Sequence, residues 1–304
     1  MLSFTSSLGP HNEAFAIFVN EEYKHNDKQG ILSKDQVEKI NSFLKVLKSK
    51  NNKQDISSFD LSDKKKCFVI KVSKKHDKSY AQELGAEFYS YAKKFNNVKK
   101  LDFYFDNLDL DKQDSAKFFS EFIFGFNLKS YSFTKYKTQE KEKSNKKIDF
   151  KIISRNKDSI QKKYKYYEAI KEGVFFARDL VSEPPNVLTP KSYVNEIKKL
   201  SKLGLKIKIY NEKELKKLGL NALLGVGQGS VNESYLVTIE WKGKKQSNQK
   251  PLAFVGKGVC FDTGGISLKP ARFMEEMKYD MAGSAVVAGL LKSFAIRKAK
   301  INAV

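Results

Sequence analysis

Cysteine is nearly absent: Cys67 and Cys260 are the only two in 304 residues. Two thiols make no disulfide framework, and a reducing cytoplasm is the natural setting for such a chain. Long apolar runs are missing too. The longest, such as Ala285 to Leu291, fall far short of the roughly 20 residues that a bilayer span needs, so no membrane crossing is expected. Met1 to His11 holds no basic segment followed by an apolar one, the pattern of a secretory signal. Histidine is scarce. His11, His25 and His76 all lie in polar surroundings of the first half, which reads them as surface residues and leaves Cys260 without a His partner. Cys260 is then a small buried apolar residue, and the lone Trp241 a packing residue at a strand end.

Acidic residues are in deficit. Against 57 Lys and Arg stand 35 Asp and Glu, a net charge of +22, which raises nucleic acid or an anionic surface as a partner. The excess is Lys scattered through every segment, as at Lys64 to Lys66 and Lys146-Lys147, with few Arg. That scatter favours a solvated surface over a localised nucleic-acid interface. With 40% apolar and 30% charged residues the chain reads as folded and globular.

Glycine and proline are unevenly spread: residues 1–150 hold four Gly and one Pro, residues 151–304 thirteen and five. Loops shaped for a site are therefore expected in the second half. In the first, strand-like runs at Phe15 to Val19, Cys67 to Val72, Leu101 to Phe105 and Ile148 to Ile153 alternate with helical patterns over Gln36–Leu47, Ala81–Phe95 and Ser115–Phe126. This order predicts an α/β domain with a mostly parallel sheet. The polar run Gln139 to Lys147 reads as an exposed loop. A helix over Ile160–Val181 leads into the second half, which places the domains at 1–160 and 161–304.

Glu183-Pro184-Pro185 ends that helix, and Thr189-Pro190 caps the next, which runs through Leu200. Leu205–Tyr210 reads as a strand, Asn211–Leu218 as a helix, Ala222–Gly229 as a glycine-rich turn and Tyr235–Trp241 as a strand. The second half is thus α/β as well.

The stretch from Leu252 to Pro270 carries the chemistry. A buried strand runs into a loop with four Gly, in which Asp262 lies between Lys257 and Lys269; Asp280 follows at the head of a small-residue helix, Ala282–Leu291. Two carboxylates converging beneath glycine-rich backbone suit a divalent cation, and paired ions clamp a nucleophilic water against a polarised carbonyl. A lysine buried near cations would have a depressed pKa and could ligate as a neutral amine, while a charged one could stabilise an oxyanion. The same residues also read as a plain turn with surface lysines. A phosphate cradle fits less well, because neither GxxxxGK[ST] nor GxGxxG spacing is present.

The run Val255-Gly256-Lys257-Gly258 through Phe261-Asp262-Thr263-Gly264-Gly265-Ile266-Ser267-Leu268-Lys269-Pro270, followed by Met277-Lys278-Tyr279-Asp280-Met281-Ala282-Gly283, resembles the core signature of the leucyl (cytosol) aminopeptidase family of metallopeptidases. The likeness extends through Ala177 to Val181, Pro185 to Pro190 and Leu223 to Ser230, and loosely to Tyr131–Lys137. It implies a macro-domain-like N-terminal α/β domain and an α/β peptidase domain with a mixed central sheet.

By position, the resemblance makes Lys257, Asp262 and Asp280 metal ligands, with Asp262 bridging two divalent ions, Mn2+ or Zn2+ with Mg2+ also open. Lys269 matches the catalytic lysine, and Met277 the wall of the pocket for a leucine-like N-terminal side chain. Substrates would be peptides with a free N-terminus, and the full-length assembly a homo-hexamer. The family's second motif, Asn-Thr-Asp-Ala-Glu-Gly-Arg, does not occur in this sequence. The expectation is therefore an incomplete catalytic domain, inactive and poorly folding as it stands. The alternative is an inactive fragment or a DNA- or peptide-binding relative of the aminopeptidases.

Overall fold

The computed structural model describes residues 2–6, 13–25, 27, 30–74, 77, 79–106, 108, 112–138, 148–244 and 250–304. His11, His76 and the polar run at 139–147 lie outside them. Two compact units divide the chain, Met1–Tyr167 and Glu168–Val304.

The first unit is built on a six-stranded sheet of β1 (Leu2–Thr5), β2 (Ala14–Val19), β3 (Ile56–Ser62), β4 (Lys65–Lys71), β5 (Lys100–Tyr104) and β6 (Asp149–Ile153). Its order is β1-β6-β5-β2-β4-β3. Every neighbouring pair is parallel except β3 with β4, so the sheet is mostly parallel, as the alternation of strands and helices predicts. All six residues of β2 are buried, the pattern of a strand covered on both faces.

Helix α1 (Lys34–Ser49) starts in a capping box. Ser33 Oγ accepts from the Gln36 N–H, and Gln36 Oε1 accepts from the Ser33 N–H. Its apolar face, Ile40, Leu44 and Leu47, packs with Phe15, Ile17 and Val69. Helices α2 (Tyr80–Ala92) and α3 (Lys112–Lys129) cross at glycines: a Cβ on Gly85 would lie 2.1 Å from the Phe122 carbonyl oxygen, and one on Gly125 would lie 1.8 Å from that of Gln82. Around them Phe18, Phe103, Phe105, Phe119 and Phe122 form edge-to-face and stacked pairs. Each buried phenyl contributes roughly 1.5–3 kcal/mol.

Helix α4 spans Lys157–Ser182, and α5 spans Pro190–Lys198. The α5 cap is as expected, with Thr189 accepting from the Ser192 N–H and Pro190 in the first turn. A 3₁₀ turn, Lys199–Leu203, ends at Gly204 in the left-handed region. Then come β7 (Lys206–Tyr210), α6 (Glu212–Lys217), α7 (Asn221–Gly227), β8 (Leu236–Lys242), α8 (Ala282–Ile296) and β9 (Asn302–Ala303). The sheet order β7-β8-β9 is antiparallel, and Leu252–Phe254 adds a parallel pairing to Asn302–Val304, which makes it mixed. The core joins Leu188, Tyr193 and Ile197 to Ala285, Leu291 and Phe294.

Two readings need correction. Ala222–Gly229 is not a turn region: α7 forms there, because Ala222, Leu223 and Leu224 favour helix strongly enough to carry two glycines. The run before the loop is not a buried strand either. It bonds on one side alone, at the sheet's edge, and leaves Val255 98% exposed.

Candidate metal and peptide site

The site is built where the Leu252–Phe254 edge runs into the first turn of α8. Glycine is needed at 256, because a Cβ there would lie 2.5 Å from Ser284 Cα. The Ser284 N–H donates to the Lys257 carbonyl at 2.9 Å and locks this approach. Further along, Gly264 has φ +94, and the Lys269 N–H donates to the Thr263 carbonyl at 2.9 Å, closing the loop between them.

These backbone contacts deliver the side chains. The Lys257 ammonium donates to Asp280 Oδ1 at 2.8 Å and stands 2.8 Å from Oδ2. Oδ2 is shut off from solvent and is covered by that same ammonium, so a cation using this carboxylate would have to displace Lys257 Nζ. Lys269 Nζ lies 3.0 Å from Asp262 Oδ2 and 3.0 Å from Met277 Sδ. Asp262 Oδ1 accepts from the Gly264 N–H at 2.9 Å. The Lys269 bond, the Gly264 N–H and the charges of Lys269 and Lys257 together hold the Asp262 carboxyl below the usual range.

Lys257 is held as an ammonium by its carboxylate partners. Its side chain is 57% exposed, and the Asp280 hydrogen bond, reinforced by the charges of Asp280 and Asp262, raises its pKa. The ammonium form is thus favoured, because burial is too slight to oppose the carboxylates.

All five expected residues, Lys257, Asp262, Lys269, Met277 and Asp280, thus fall into two contacting groups, with Lys257 feeling the charge of both acids. Among the described residues no three His, Cys, Asp or Glu side chains converge as a metal cluster. The donor set is two carboxylates with an amine, a chemistry that suits a hard or borderline divalent ion.

Behind the site, Tyr193 and Ser284 make a contact that the sequence did not point to. Tyr193 OH and Ser284 Oγ are 2.8 Å apart. Burial pushes the Tyr193 hydroxyl up to about 12. Cys260 is buried as expected, and burial pushes its thiol up to about 11. Trp241 is partly buried against the core and donates from Nε1 to the Ala299 carbonyl at 2.8 Å. His25 is half-buried rather than fully at the surface, and desolvation lowers its pKa.

Residues 175–304 match the model of the cytosol aminopeptidase family, catalytic domain. The chain is 49% identical over 182 residues to a probable cytosol aminopeptidase of Caulobacter vibrioides, covering 60% of this chain and 37% of that protein. It is 44% identical over 218 residues to the Rhizobium rhizogenes counterpart, covering 70% and 43%. The chain therefore spans less than half the length of these relatives. Among solved structures, a mutant of tomato leucine aminopeptidase matches with TM-score 0.77 and 21% identity, over 99% of this chain and 61% of that one. The bottromycin maturation enzyme BotP in complex with Mn matches with TM-score 0.69 and 19% identity, over 96% and 58%. Both share the fold. Residues 175–304, which hold every group of this site, belong to the cytosol aminopeptidase family.

Proposed function

We propose that the chain forms the metal-binding part of an aminopeptidase that releases leucine-like N-terminal residues from peptides. The observation that carries this is the Lys257–Asp280 ion pair together with the Lys269–Asp262 pair on the same glycine-rich loop. Asp262, Asp280 and the Lys257 amine would hold two divalent ions, Mn2+ or Zn2+, with Mg2+ a third choice; any further carboxylate would come from elsewhere in the assembled protein. Such ions supply polarisation of the peptide carbonyl and a water of lowered pKa. Lys269, paired with Asp262 at 3.0 Å, donates to the oxygen on which charge develops as water attacks. Met277 forms the apolar wall for the N-terminal side chain and, through its sulfur, steadies the Lys269 amine.

By its relatives' names the protein acts in the cytosol, and the family resemblance suggests a homo-hexamer. The test is hydrolysis of a leucine amide with Mn2+ or Zn2+, by the chain alone and joined to the further catalytic-domain sequence that its relatives carry. Turnover abolished by chelation and by Lys269→Ala supports the reading. Turnover that survives both sinks it.

A further inference from the structure

We propose that Tyr193 is a positioning residue for the metal site, acting through Ser284 to fix the spacing between Lys257 and Asp280. This rests on the metal reading above. The chain of bonds has a defined direction. Ser284 Oγ lies 2.8 Å from the Met281 carbonyl, to which its single proton is donated. The remaining contact, 2.8 Å from Tyr193 OH, must then run the other way, with the tyrosine donating to Ser284 Oγ.

Ser284 is thus held at three points. Its hydroxyl ties it to Met281, the residue next to Asp280, and its N–H ties it to the Lys257 carbonyl at 2.9 Å. The third point is Tyr193, reaching in from α5 with its ring in the core beside Leu188 and Ile197. The packing leaves little slack. A Cβ on Gly258 would lie 3.3 Å from Ser284 Oγ, and one on Gly256 would overlap the Ser284 backbone. Met281 is fully buried, so Asp280 is anchored on one side by a core residue and on the other by the 3₁₀ turn Met274–Tyr279. A rotation of Ser284 would shift both the Lys257 and the Met281 backbone, which carry the two sides of the Lys257–Asp280 pair. Groups that orient metal ligands from behind typically alter affinity by about 10–100-fold when removed.

The test is Mn2+ binding, followed by the electron paramagnetic resonance signal of the free ion, alongside thermal unfolding of the same proteins. Tyr193→Phe keeps the ring and loses the donor; Ser284→Ala loses the relay; Ser284→Thr keeps a hydroxyl. The expected result is a Kd about tenfold weaker for Tyr193→Phe and for Ser284→Ala. The double variant should be no weaker than either single, and Ser284→Thr should recover most of the loss. Ile239→Val, a core change on β8 that touches none of these bonds, should lower Tm with Kd unchanged. If Asp280→Asn abolishes binding while Tyr193→Phe leaves it at the wild-type value, the positioning role is wrong and the metal reading stands. If Asp280→Asn leaves Mn2+ affinity unaltered, the metal reading fails and this inference falls with it. Should Tyr193→Phe fold poorly, the Ser284→Ala and Ser284→Thr pair decides the question.

Discussion

Lys257 and Asp280 form an ion pair in which the ammonium stands 2.8 Å from both carboxylate oxygens. A cation that uses these groups has to displace that ammonium. Because the amine's pKa is raised above the ordinary lysine value, it is protonated at pH 7, and a ligand amine must lose its proton on metal binding. Mn2+ affinity should therefore rise as pH increases from 7 to 9, with about one proton released per ion taken up by this amine. Calorimetric titration in two buffers of different ionisation enthalpy counts the protons. Lys257→Met should flatten the dependence, and wild-type binding without proton release would show that the amine is not a ligand.

Lys269 and Met277 are expected to divide the chemistry between rate and selectivity. In the assembled enzyme, Lys269→Ala removes the donor to the developing oxyanion and should lower kcat by roughly 10²–10³, with a smaller change in KM. Met277→Ala should instead reduce the preference for leucine over alanine amides about tenfold, since shortening an apolar wall changes discrimination by a few kcal/mol at most. Steady-state kinetics on both substrates separate the two. A Met277 variant that loses kcat alike for both would mean that its sulfur contact to Lys269 matters more than its bulk.

Much of the fold was legible because the strands of the first unit are dense apolar runs and its helices bury one regular face. The strands that escaped notice are the weakly patterned ones. β3 reads Ile-Ser-Ser-Phe-Asp-Leu-Ser, with one face polar, and β1 is four residues long at the sheet's edge. The loop that carries Lys257, Asp262 and Lys269 was readable as a local motif. Two contacts within the site were not. Lys269 to Met277 depends on how the loop folds back, and Tyr193 to Ser284 joins positions 91 residues apart through the packing of α5 on α8. A polar hydroxyl on an otherwise apolar helix face was the one available hint of the second.

Glycine substitutions should separate close packing from mere flexibility. α4 and α8 meet at Gly173 and Gly289, where a Cβ on the first would lie 2.3 Å from the carbonyl oxygen of the second. Gly173→Ala forces the helices apart and should cost about 1–3 kcal/mol, the usual penalty for overpacking. Gly225, inside α7, meets nothing within 4 Å, so Gly225→Ala should gain up to about 1 kcal/mol from helix propensity. Urea unfolding measures both; equal effects of the two changes would refute the packing argument.

The free thiols offer a check on burial around the site. Cys260 sits at 8% exposure next to the loop, and desolvation pushes its pKa to about 11, so almost none is thiolate at pH 8. Alkylation by iodoacetamide requires the thiolate and should run on the order of a hundredfold slower than for a free cysteine at that pH. Cys67, fully buried with its pKa also raised, should be slower still in the native protein. Mass spectrometry of timed digests reads each site separately. Rapid native labelling of Cys260 at pH 8, with Cys67 still protected, would mean that the Lys257 loop opens in solution and that the ligand geometry derived from it holds for only part of the population.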